Sequence, residues 1–525
     1  MNIIKNLACL DYFIIILYLI LLLGIGFWAS KKSNLNGGDL FLGGRQLKWS
    51  NIGLSIWGTN IGPSMLIATT SLAYSTGLVG GNFSWLAFPI LLIFSRVFIP
   101  RYLQGRVHTT AEFISFRFND TTRDIVAIYS LLSILILWLG GTLYAGGIII
   151  SQMVDCPLWI SVTLLMIVAM SFTITGGLTA VVYTDAFQMI LLIVSSCVIL
   201  VLGINAVGGV NVLWDSVPAK YWRMLLPASD EVYPWHALIL GYPVLGIWFW
   251  CTDQTIVQRA LGAKNVHHAQ KGILLTAGLK ILDTFIFVVP GIICFLLFPN
   301  LENSDEAFLK LAVNILPSGL LGLTISVILA ALISTVDSGL NSLSTVFTLD
   351  IYKKKFNPSL SKSNERRLGQ WVTFIGGLLA IFLSILLDRV DKDLFGLLQS
   401  IIGYLAPPMS TVFLIGVLWR RATTKAANLT LIVGFVLCFC VAVVDLGGLS
   451  SYEFFPPYLL MSFYLFAFLS ILMISVSWLT KKPTDENKFI SLKKIYRELR
   501  LSPYYLLGIW LLIAVIMGGL YIFFN

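Results

Sequence analysis

Along its hydrophobic and polar positions the chain alternates between apolar stretches of about 20 residues and short polar connections, a length that crosses ~30 Å of hydrocarbon as a helix. Fourteen such spans are expected, near residues 12–28, 54–72, 85–100, 125–154, 158–175, 186–207, 235–250, 272–298, 316–347, 371–387, 394–419, 429–444, 457–479 and 504–524. The pattern predicts an all-α integral membrane protein. The first span follows Asp11 with no small-residue cleavage site behind it, so it is expected to be retained and not removed as a signal peptide.

Two spans contain residues that a plain membrane helix avoids. The second carries Gly58-Thr59-Asn60-Ile61-Gly62-Pro63-Ser64, and the seventh runs into Trp250-Cys251-Thr252-Asp253-Gln254. Pro and Gly free backbone carbonyls from the helix ladder, which hydrocarbon tolerates only where protein or a cavity satisfies them. Ordinary kinks would account for either span alone. Together, five spans apart, they match two inverted five-helix repeats whose discontinuous first helices meet near the bilayer midplane. On that plan a single polytopic domain divides into a leading helix and loop (1–50), a first repeat (51–208), a second repeat (209–422) and three peripheral helices (423–525).

The ninth span is polar along one side. On a helical wheel Ser334, Thr335, Asp337, Ser338, Asn341, Ser342, Ser344 and Thr345 fall within half the circumference, with Leu332, Ile333, Val336, Leu340 and Leu343 filling the rest. Hydroxyls one turn apart with an intramembrane carboxylate suit a small hard cation that prefers oxygen ligands. Hydroxyls also serve as helix-packing glue, but a carboxylate such as Asp337 costs roughly 2.5–3.5 kcal/mol at that depth and is seldom kept for packing alone.

Composition narrows the function. With 57% hydrophobic and 12% charged residues among 525, no room remains for a soluble catalytic domain, so an enzyme is not expected. A net charge of +9 would suggest nucleic acid in a soluble protein, but the basic residues lie in alternate loops. Six of the seven loops after odd-numbered spans are basic (Lys31 to Lys48, Arg101 to Arg123, Arg259 to Lys271, Lys353 to Arg367, Arg420 to Lys425, Lys481 to Arg500); only Gly176 to Thr184 is not. Positive loops stay in the cytoplasm, so both termini are expected outside a cell membrane, with lipid and not nucleic acid as the surrounding partner. Seven cysteines without zinc or redox spacing and four histidines in loops or at a span edge predict no disulfide, structural metal or haem. A sensor would need a signalling domain, yet the chain stops at Phe524-Asn525; a channel would not need the apolar pair Phe249-Trp250 at its break.

Four stretches then resemble the sodium:solute symporter family, specifically its sodium/glucose cotransporter branch: Gly176 to Asp185; Trp250-Cys251-Thr252-Asp253-Gln254 with Ile256-Val257-Gln258-Arg259; Ser334 to Tyr352; and Tyr404-Leu405-Ala406-Pro407-Pro408. The resemblance implies a leucine-transporter-type 5+5 inverted-repeat fold and transport of a small solute with sodium by alternating access. By position it implies a sodium site of the backbone carbonyls of Gly58, Ile61 and Ala331 with the hydroxyls of Ser334 and Thr335. A second sodium site, present in some members, would involve Asp185, Asp337 and Ser338; Asp337 stands where such members carry a hydroxyl, and could hold sodium or a proton. Substrate contacts implied by position are Asn60, Ser84, Lys280 and Gln399, with Phe249 and Trp250 as the inner gate. Ser84 stands in place of a glutamate, Phe249 in place of a tyrosine, and Gly246 in place of a polar residue. Lys280 inside a span needs a substrate or an Asp as its partner. The substrate implied is a hexose-like sugar, with a polyol such as inositol, or a sugar acid, as alternatives.

Overall fold

The structure, a computed structural model, describes residues 7–35, 41–154, 156–389, 394–448, 455–481 and 504–525; the basic loop expected beyond Lys481 and part of the one after the first span lie outside them. Among the described residues the chain is helical, with two isolated bridges and no strand. The helices that build the centre and its supports are α1 (Cys9–Leu35), α2 (Trp49–Asn60), α3 (Pro63–Thr76), α4 (Leu158–Val207), α5 (Trp235–Gly246), α6 (Gln254–Leu261), α7 (Val266–Asp283), α8 (Leu320–Val346) and α9 (Leu394–Leu418).

Eleven helices among the described residues are long and apolar enough to cross a bilayer. The expected spans near 54–72, 158–175 and 235–250 are not separate members of that set. The first and third are broken: α2 ends at Asn60 and α3 begins at Pro63, while α5 continues through a wide π turn, Ile247–Thr252, and stops at Asp253 before α6. The second is short and lies inside α4.

Helical backbone runs through the 50 residues of α4, but its neighbours show the chain turning back within it. Leu165 and Leu332 sit together where a side chain on Gly146 would go, and Thr173 donates to Asp337, so the first arm advances alongside α8. Asp185 meets Ser334 and Ser195 meets Thr324, so the second arm runs against α8. The reversal therefore falls between Thr173 and Asp185, in the stretch that carries Gly176-Gly177.

Of the eleven long helices α8 and α9 are the most enclosed, whereas Lys362–Leu387, Thr424–Leu446, Tyr458–Leu479 and Tyr504–Phe523 present Phe382, Phe439, Ile471 and Val515 to the surroundings, as lipid-facing helices do. Asp11 of α1 is fully buried because its carboxylate accepts the N–H groups of Gly319 and Gly322, both at 2.7 Å, and so caps the start of α8. α7 lies against α2 at a point where Gly53 and Gly272 leave space: a Cβ on Gly53 would stand 2.6 Å from the Gly272 carbonyl, and Thr276 donates to the Gly53 carbonyl at 3.0 Å. That close approach carries the end of α7 to the centre of the molecule.

Candidate functional site

The break between α2 and α3 brings unused backbone to α8. Ile61 closes a last turn onto the Trp57 carbonyl at 3.0 Å, but Met65 and Leu66 both donate to Gly62, so the Ile61 carbonyl loses the N–H that a continuous helix would aim at it. Thr335 lies directly against this break, since a Cβ on Gly62 would stand 2.7 Å from its hydroxyl oxygen. Its hydroxyl donates to the Ala331 carbonyl at 2.9 Å, and that of Ser334 donates to Asp185. Gly58, on the last turn of α2, packs against Met189 of α4. Thus Gly58, Ile61, Ala331, Ser334 and Thr335 come from two facing elements, the end of α2 and the middle of α8.

Beside them a buried polar cluster joins four elements. Asp185 accepts from Ser55 and Ser334 and lies 3.7 Å from the guanidinium of Arg259, which donates to Ser55 (2.9 Å), to Ser338 and to the Thr255 carbonyl. Asp185 and Ser338 thus converge on Arg259. Asp337 points elsewhere: it accepts from Thr173 at 2.8 Å and, among the described residues, makes no ion pair. Further along α8, Ser342 donates to Gln258 at 3.0 Å and Gln258 donates to Thr345 at 2.9 Å. This end of the polar stripe is packing glue against α6, a use that the helical wheel could not separate from cation binding.

A cavity with about 820 Å³ of empty space, part of it open solvent, lies between the break and α9. Asn60, Ser84, Lys280 and Gln399 all line it, as do Phe249, Trp250, Gly246 and Thr335. The sequence-predicted substrate and gate residues, distant along the chain, therefore share one chamber. Lys280 donates to Asn60 Oδ1 at 2.6 Å and pairs with Asp283 Oδ2 at 2.6 Å. Asp283 also accepts from Trp57 Nε1 at 2.8 Å and from Ser84 at 2.9 Å. The carboxylate missing at position 84 is thus supplied by α7, and the lysine has the acidic partner its burial requires. Gln399 meets Met65 Sδ at 3.8 Å. Phe249 stacks on Trp138 with centroids 5.4 Å apart and meets Trp250 edge-on at 5.0 Å, closing an aromatic wall. Asp283, Trp138, Thr69 and Tyr242 are the additions that sequence reasoning missed. Asp283 had a local signal, its place three residues after Lys280; the others had none.

Residues 40–434 match the model of the sodium:solute symporter family. Sodium/glucose cotransporter 4 of Danio rerio is 31% identical over 82% of this chain and 71% of its own length. Sodium/myo-inositol cotransporter 2 of Bos taurus is 30% identical over 92% of this chain and 78% of its own. Among solved structures, a Na+-coupled sialic acid symporter in a substrate-bound outward-open state is similar with a TM-score of 0.78 at 21% identity, over 90% of this chain and 99% of that one, so the two share a fold. The chain belongs to the sodium:solute symporter family: it is a multi-pass membrane transporter, not an enzyme, and couples sodium to the movement of a small solute.

Proposed function

We propose that the protein takes up a hexose-like sugar with sodium by alternating access, through the chamber between the α2–α3 break and α9. The observation that carries this reading is the convergence of Asn60, Ser84, Lys280 and Gln399 on one cavity that Thr335 also borders, so that solute and cation would be held by opposite sides of the same broken helix. Sodium would be bound by the carbonyls of Gly58, Ile61 and Ala331 and the hydroxyls of Ser334 and Thr335. The fit is chemical: both hydroxyl hydrogens are already donated to protein acceptors, which leaves oxygen lone pairs for a cation. A second sodium would use Asp337, whose buried carboxylate faces Thr173 and has no basic partner among the described residues; Asp185 and Ser338 would have to leave Arg259 to join it. Phe249 and Trp250 would form the inner gate, with Trp138 behind them. A polyol is the second reading, favoured by a myo-inositol relative as similar as the glucose one.

The architecture that goes with this reading has fourteen crossings, adding the two broken spans and the short first arm of α4 to the eleven long helices. A leading helix (1–50) precedes repeats at 51–208 and 209–422, each opening with a broken helix, and three peripheral helices (423–525) follow. Basic loops would face the cytoplasm and both termini the outside of a cell membrane.

The test is binding and uptake of D-glucose, D-galactose and myo-inositol by the purified protein in proteoliposomes, with sodium or with choline in its place at the same imposed membrane potential. Uptake of at least one of these only with sodium is expected. Uptake of none, or equal uptake in choline, would overturn the proposal.

A further inference from the structure

Among the described residues that line the cavity Lys280 is the one charged side chain, and its charge is already answered. Asp283 stands 2.6 Å from its ammonium and is itself held by Trp57 and Ser84; both partners of the pair are almost fully buried. The bonds also fix what the wall offers a ligand. Ser84 gives its hydrogen to Asp283, so its oxygen remains as an acceptor. Asn60 accepts from Lys280 through Oδ1, so its amide hydrogens remain as donors. An alternation of donors and acceptors matches hydroxyl groups, each of which can both give and take a hydrogen bond. A carboxylate only accepts. In this chamber it would meet the Ser84 oxygen and a neighbouring Asp283, while the lysine that should attract it has its counter-ion in place. The acid would then carry an uncompensated charge into a low-dielectric site.

We propose that the Lys280–Asp283 pair sets substrate charge selection, making the site electrically neutral so that it takes uncharged polyhydroxylated solutes and rejects the corresponding acids. This rests on the reading of Asn60, Ser84, Lys280 and Gln399 as the substrate wall, and Asp283 is a positioning residue within it. Substituting Asp283→Asn keeps the shape and one acceptor oxygen, enough for Trp57 or Ser84 but not both, and leaves Lys280 without a counter-ion, a cost that a substrate carboxylate relieves.

The experiment measures sodium-dependent binding of D-glucose, myo-inositol and D-glucuronate to the protein in proteoliposomes. In the unmodified protein glucuronate should bind at least about tenfold more weakly than the better neutral ligand. In Asp283→Asn that ratio should move toward glucuronate by about tenfold or more, while Asp283→Glu, which restores the charge, should move it back. Glucuronate binding as tightly as the neutral ligand in the unmodified protein would overturn the proposal even if Asp283→Asn fails to fold. So would an Asp283→Asn protein that binds sodium normally and loses neutral and acidic ligands by the same factor, because that is a structural loss without selection. Gln399→Ala separates the two levels of the argument: it should weaken all three ligands together, and if it weakens none, the substrate wall itself is misassigned.

Discussion

In the proposed sodium site, Thr335 and Ser334 show how a hydroxyl would be prepared for a cation. Each oxygen must turn its lone pairs outward, which requires a protein acceptor for its hydrogen. Ala331 provides one for Thr335, and Asp185 provides one for Ser334. Removing both oxygens leaves only backbone carbonyls, too few ligands for a small hard cation. Ser334→Ala with Thr335→Ala should raise the sodium concentration for half-maximal uptake at least about tenfold, with transport recovered at saturating sodium. Normal uptake by the double variant at low sodium would show that the cation is held elsewhere. The polar face that carries these two hydroxyls was legible from the helical wheel, whereas their proposed part as ligands came from the family resemblance. Asp283 was not legible, since a Lys-X-X-Asp spacing reads as an ordinary one-turn ion pair until Trp57 and Ser84 arrive from other helices. Trp138 was beyond reach for the same reason: an aromatic residue in an apolar span has no pattern that marks it as the stacking partner of Phe249.

At the scale of helices, both breaks could be read from the chain. Gly62-Pro63 cannot continue a ladder, and Asp253, whose side chain accepts the Thr255 N–H at 2.9 Å, starts α6 as an N-cap. The reversal inside α4 was legible as well, from the small and polar residues between two apolar runs. What the sequence could not divide is the polar stripe of α8. About one turn separates Ser338, held by Arg259, from Ser342, and about two separate it from Thr345, both held by Gln258, and periodicity assigns all of them to one face. The division is testable, because glue and cation ligand fail differently. Gln258→Ala removes a buried group that joins Ser342, Thr345 and the Phe41 carbonyl, and should cost roughly 1–3 kcal/mol of stability, read as a lower Tm. Sodium affinity measured on the folded variant should stay within about twofold of the unmodified protein. A large loss of sodium affinity at unchanged Tm would instead draw α6 into the cation site.

For the whole molecule the energetic question is how many charges move with each solute. A neutral substrate contributes none, so the sodium count alone sets the coupling to membrane potential. Each charge moved through 100 mV contributes ~2.3 kcal/mol; one sodium then supports roughly 50-fold accumulation from the potential, and two support roughly 2,000-fold. The buried acids near α8 bear directly on that count. Asp185 is matched by Arg259, whereas Asp337 makes no ion pair among the described residues and is oriented by Thr173 alone. A buried carboxylate left without a cation is costly, and a second sodium would relieve that cost on each inward step. We therefore expect two charges per substrate, measured as reversal potentials in proteoliposomes, falling to one in Asp337→Asn while sodium-dependent uptake persists. A single charge per substrate in the unmodified protein would remove the second site, and a ratio that changes with pH would assign Asp337 a proton in place of sodium.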